Sequence, residues 1–167
     1  GGVIALTTRI DSGPSMPAAG VAAGSFGTWR AVASLGGGTG DAAFAVDGTA
    51  FRTNGYREHS AATRDLVNAA ARIDGGASGT WRVGLNTLSM PDVQDPLGLT
   101  REQWRSDPRQ ASPLALAFDT RKSTQQDQAG VQWTKALDAD WDASATAWVG
   151  RRSVEQFQAI PVAAQAA

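Results

Sequence analysis

The chain has 167 residues, of which 42% are hydrophobic and 19% charged, a balance that excludes a disordered or fibrous chain and leaves room for one ordinary domain. A formal net charge of −1 lacks the basic excess that draws nucleic acid, so no nucleic-acid partner is expected. With no cysteine, disulfides, thiolate nucleophiles and cysteine-held metals drop out, while 19 glycines and six tryptophans suit short strands and tight turns better than a helical core.

The opening, Gly1 to Leu6, has no basic leader and runs at once into polar residues, unlike a signal peptide. No apolar run reaches the roughly 18 residues that a membrane-crossing helix requires. Strands of about ten residues can also cross, and their signal is alternation. Ala18 to Ser25 and Trp29 to Leu35 are the first two expected strands, joined by a tight link at Ser25 to Thr28. After a glycine-rich turn at Gly36 to Asp41, Phe44, Val46, Gly48 and Ala50 share one face. A longer connection, Asn54 to Arg64, leads into Leu66 to Asp74, where Val67, Ala69, Ala71 and Ile73 oppose Asn68, Ala70, Arg72 and Asp74. A turn at Gly75 to Gly79 precedes Trp81, Val83 and Leu85, set against Arg82, Gly84 and Asn86. Then comes the longest connection, Pro91 to about Thr124, followed by Ala129, Val131 and Trp133 against Gln128, Gly130 and Gln132. Beyond a third turn at Asp138 to Asp140, Trp141, Ala143, Ala145, Ala147 and Val149 oppose Asp142, Ser144, Thr146, Trp148 and Gly150, and a further connection is expected from Arg151 onward.

These elements define an all-β expectation: an antiparallel, up-and-down, curved sheet of about seven strands. Short turns alternate with long connections, which puts the short turns at one end, as in outer-membrane barrels. Phe44, Trp81 and Trp141 follow short turns on the apolar side, where a girdle of rings would meet lipid headgroups. The same pattern would also pack the core of a soluble β-sandwich. Asp47, Thr49, Asn68, Arg72, Asn86, Gln128 and Gln132, on the opposite face, suit a wet lumen or a polar plug and so favour part of a transmembrane β-barrel.

The long connection should carry one short helix, because Thr100 and Gln103 have capping-box spacing and Asp107-Pro108 stops a helix that starts at Arg101. That helix presents Arg101, Trp104 and Arg105; Arg109, Arg121 and Lys122 lie elsewhere in the connection, and Arg57 and His59 in the preceding one. Arg57, His59, Arg101, Trp104, Arg105, Arg109 and Arg121 are the candidate ligand-binding residues. For the basic ones, lipopolysaccharide phosphates or neighbouring carboxylates are the competing partners. Catalysis is not expected, since His59 and Ser60 are adjacent and point apart and no nucleophile elbow surrounds them. Asp138, Asp140 and Asp142 have the spacing that opens a calcium loop, but Ala143 stands where its glycine belongs and Val149 where its bidentate glutamate belongs. No lysine or helix follows Gly36 to Gly40, so it is a turn and not a phosphate cradle. No metal or cofactor is expected.

The order of several segments resembles the TonB-dependent outer-membrane receptor family. Gly2-Val3-Ile4-Ala5-Leu6-Thr7-Thr8-Arg9 is similar to the end of that family's plug domain. Gly24 to Trp29, Phe51 to Ser60, Leu99 to Arg105, Asp107 to Gln110, Thr120 to Lys122, Gln128 to Gly130 and Gln156 to Pro161 follow in the order of its YncD-like branch. The resemblance implies residues 1–10 as the plug end, 11–17 as a linker and 18–167 as the N-terminal part of a barrel of 22 strands. It further implies a bacterial outer-membrane location, contact with outer-membrane lipid, and import of a ferric siderophore or similarly large scarce cofactor. TonB would act through an N-terminal part that this sequence does not contain. The alternative from another class is a soluble β-sandwich that binds carbohydrate.

Overall fold

The computed structural model describes residues 10 and 12–160, which leaves the plug-like opening, Gly2 to Arg9, outside the described residues. Seven strands form one antiparallel sheet in sequence order: β1 (Gly13–Ala23), β2 (Trp29–Gly38), β3 (Ala42–Thr53), β4 (Ala62–Asp74), β5 (Thr80–Gln94), β6 (Arg121–Ala136) and β7 (Asp142–Phe157). Each pairs only with its neighbours in sequence, so the sheet is up-and-down and not closed, with β1 and β7 as its edges.

The register settles which residues share a face, because directly paired residues point to the same side. One row runs Pro17, Leu35, Val46, Ala69, Leu85, Ala129, Val149 across all seven strands. Beside it lies Gly37, Phe44, Ala71, Val83, Val131, Ala147, and next Ile73, Trp81, Trp133, Ala145. The opposite face holds Ser34, Asp47, Asn68, Asn86, Gln128, Gly150 in one row and Arg72, Arg82, Gln132, Thr146 in another. Alternation in the sequence therefore becomes a band of apolar rows on one face, bounded toward the loops by the row Val67, Thr87, Asp127, Arg151, and an opposite face whose polar rows flank one of small residues and Trp148. Asn68 donates to Asp47 at 2.9 Å and Asn86 to Asn68 at 2.5 Å, binding three strands on the polar side.

Among the described residues no second layer packs on the sheet, although Ile10 and Ser12 reach its polar face. Among the described residues the only buried hydrophobic side chains are Ala43, Ala111 and Ala115, and the last two belong to the long loop. Val46, Val67, Val83, Leu85 and Val149 on the apolar face are all exposed. Among the described residues the sheet is held by its ladder and cross-strand pairs, without an enclosed core.

Several strand limits differ from the sequence expectation. β1 covers Gly13–Ala23 and not Ala18 to Ser25, so it takes in part of the expected linker. β5 persists to Gln94 through an irregularity between Met90 and Val93, where Pro91 has no N–H for the ladder and Asp92 has a φ of 45°. β6 begins at Arg121, which shortens the long connection to residues 95–120. Residues from Arg151 to Phe157, expected as connection, are strand, paired in register with Asp127 back to Arg121. Only Val154 and Phe157 are apolar there, one on each face, so period-2 hydropathy disappears while the backbone ladder continues.

Candidate functional site

Residues 39–41, 75–79 and 137–141 close the sheet at one end, and residues 24–28, 54–61 and 95–120 gather at the other. The turn end is simple. Asp138 Oδ1 accepts from the amides of Asp140 and Trp141, and Trp133 Nε1 donates to the Ser78 carbonyl at 2.8 Å. Trp133 also lies 6.4 Å from Trp81, ring centre to ring centre.

The loop end is a folded cap. Its long connection contains α1 (Arg101–Ser106) and α2 (Pro113–Phe118). The expected capping box is present on both sides: Gln103 N–H donates to Thr100 Oγ1 at 3.2 Å, and Thr100 N–H donates to Gln103 Oε1 at 2.9 Å. The second helix was not anticipated, although Ser112 followed by proline at the first helical position is a start signal. Ala115 within it and Thr120 just after it are almost fully buried. Thr120 Oγ1 donates to the Asp95 carbonyl and Asp95 N–H to the Thr120 carbonyl, pinching the loop shut at its base.

Four non-glycine residues in this cap have left-handed backbone: Phe26 (φ 61°), His59 (φ 55°), Leu97 (φ 54°) and Asp119 (φ 48°). Each costs on the order of 1 kcal/mol and persists only where its surroundings fix it. The fixing contacts are visible. Asn54 N–H donates to the Phe26 carbonyl and Glu58 N–H to the Arg109 carbonyl, joining all three loops. Phe26 and Tyr56 meet edge to face at 5.3 Å, and the Arg109 guanidinium lies 5.6 Å from each ring centre.

The seven candidate residues divide by what they already touch. Arg57 donates from Nε to the Gln110 carbonyl, from Nη1 to that of Leu97 and from Nη2 to that of Pro96, so it anchors the long loop. The His59 side chain is 9% exposed, with Nε2 at 2.9 Å from the Thr120 carbonyl and 3.7 Å from Asp119 Oδ1. Arg109 is held against Phe26 and Tyr56. Arg121 bonds to Asp119, stands 3.4 Å from Asp92 and covers the Phe157 ring at 3.9 Å. Arg101, Trp104 and Arg105 are exposed on α1.

Between α1 and the 54–61 loop lies a groove of about 520 Å³, lined by Tyr56, Arg57, Leu99, Thr100, Arg101, Trp104 and Pro108. It brings together Arg57, Arg101 and Trp104 from the expected set and leaves His59, Arg105, Arg109 and Arg121 outside its lining. Tyr56 is the contributor that residue type alone missed, and being the chain's single tyrosine, in a long connection, was its one signal. Among the described residues no group of three or more His, Asp or Glu could hold a metal ion. No protein-family model matches the chain.

Proposed function

We propose that the chain is part of a TonB-dependent outer-membrane receptor, forming the first strands of a transmembrane barrel that imports a ferric siderophore or similarly large scarce cofactor. The observation that carries this reading is the apolar row running unbroken across all seven strands of a sheet on which, among the described residues, no second layer packs. On β4 the apolar alternation from Val67 to Ile73 covers about 20 Å at roughly 3.3 Å per residue, close to the apolar band of about 25 Å on such barrels. Arg52 and Asp65 pair on the same side beyond that stretch, toward the loops. β6 and β7, at 16 residues each, are long enough to span a bilayer and project past it.

The polar face supports a hydrated lumen, where the Asp47, Asn68 and Asn86 side chains are already bonded to one another. The open edges support continuation, since unpaired edge amides and carbonyls require partners within a membrane. The folded loop end would face outward and meet solute, while the short turns face the periplasm. TonB would act through a segment preceding this sequence, and the fragment itself makes and breaks no covalent bond.

The test is genomic and then biochemical. The reading frame should continue upstream into plug and signal sequence and downstream into more alternating strands, and the whole product should fractionate with outer membranes. A free-standing frame whose product stays soluble would instead support the carbohydrate-binding sandwich.

A further inference from the structure

The groove beside α1 has a chemistry that fits one class of ligand. We propose that it binds a small anionic aromatic, a planar ring bearing a carboxylate or phosphate, with Arg101 on the anion and Trp104 and Tyr56 against the ring. This names the ligand class for the loop end under the receptor reading, and it rests on that reading only for which side of the membrane the groove faces.

Charge selects the anion. Among the described residues the two charged ones lining the groove are Arg57 and Arg101, and no carboxylate lines it. Arg57 commits three N–H groups to backbone carbonyls, so it contributes fixed positive charge and a rigid wall. The Arg101 side chain makes no hydrogen bond or ion pair with any described residue, which leaves its planar donor fork available for a carboxylate or phosphate.

Ring chemistry selects the rest of the ligand. Trp104 is 60% exposed and Tyr56 50% exposed, although both line a concave surface with Pro108. Tyr56 is set in place before any ligand arrives, by the edge of Phe26 and the guanidinium of Arg109. The capping box fixes the start of α1, immediately before Arg101. Preorganised rings and an unspent guanidinium lower the ordering cost of binding.

Phenyl phosphate joins both features, while inorganic phosphate and phenol each carry one. Equilibrium dialysis of the full chain in non-ionic detergent should show saturable binding of phenyl phosphate, displaced at least about tenfold less well by either half-ligand. Arg101→Gln and Trp104→Leu should each weaken it by about tenfold or more. Arg82→Gln, which removes the same charge from the polar sheet face, should leave it unchanged. Circular dichroism of each variant checks that the sheet is intact. Absence of saturable binding, wild-type affinity in Arg101→Gln or Trp104→Leu, or equal loss in Arg82→Gln would overturn the proposal. Failure of the receptor reading would appear separately, as a chain that needs no detergent.

Discussion

Asn86 donates from its side-chain amide to Asn68 across the β4–β5 pair at 2.5 Å, and each is flanked in sequence by an apolar residue on the other side of the sheet, Leu85 and Ala69. Neighbours along one strand thus meet opposite surroundings. The same parity governs β7, where Ala147 pairs with Val131 on the apolar face and Thr146 with Gln132 on the polar face.

Arginine placed at Ala147 should therefore block membrane assembly of the complete protein far more than arginine at Thr146. The outward position near the bilayer midplane costs about 2 to 4 kcal/mol, and a lumen position costs little. Heat-stable folded protein in outer-membrane fractions measures the difference. Equal and mild effects would mean that both faces are wet.

Arg57→Ala should loosen the long loop without disturbing the strands. The three carbonyls it serves, Pro96, Leu97 and Gln110, lie 39 to 53 residues away in sequence. Loss of charge-assisted bonds to them should cost the cap about 1.5 to 3 kcal/mol. Limited proteolysis should then cut within residues 95–120 at least about tenfold faster, with the β-sheet spectrum unchanged. A cleavage rate equal to wild type would show that the cap holds without this anchor.

Gly55 tests the cap from the other side. Its φ is 81°, and a Cβ there would overlap Ser60, whose Oγ donates to the Arg57 carbonyl at 2.5 Å and accepts from the Arg57 amide at 3.1 Å. Gly76 also has positive φ, at 57°, but a Cβ there meets open space. Gly76→Ala should cost only the backbone penalty of about 1 to 2 kcal/mol, whereas Gly55→Ala adds the overlap and should cost more. Thermal melts of the two variants in detergent, ranked against wild type, check the order.

How much of this was legible in sequence depended on the range of the interaction. The alternation of Val67, Ala69, Ala71 and Ile73, and the capping box of Thr100 and Gln103, are local patterns, and they appear in the structure as read. The ends of β5, β6 and β7 were not legible, because polar residues on both faces leave hydropathy without a period while pairing continues. The role of Arg57 was hidden for another reason. Nothing in a run of Tyr56, Arg57, Glu58 and His59 shows that the guanidinium will be occupied by carbonyls from a loop some 40 residues later. Tyr56 was overlooked because its value lies in lining one groove with Trp104, a long-range juxtaposition.

The chain alone should fail to form a stable monomer in plain buffer. Three alanines are the only buried hydrophobic residues among those described, while valines, leucines and tryptophans stand exposed along one face. An apolar face of this kind needs a covering layer, whether lipid, detergent or another copy. The edges β1 and β7 add unpaired backbone groups that invite strand addition. Expressed by itself, the protein should therefore sediment as aggregate or require detergent to disperse. In micelles it should regain a β-type spectrum, and Trp81 and Trp141 fluorescence should be quenched by lipid-phase quenchers more than by iodide, since Trp81 belongs to the apolar face and Trp141 directly precedes β7 at the turn end. A monodisperse monomer that melts cooperatively without detergent would mean that the apolar face finds cover within the chain itself, and the membrane reading would fall.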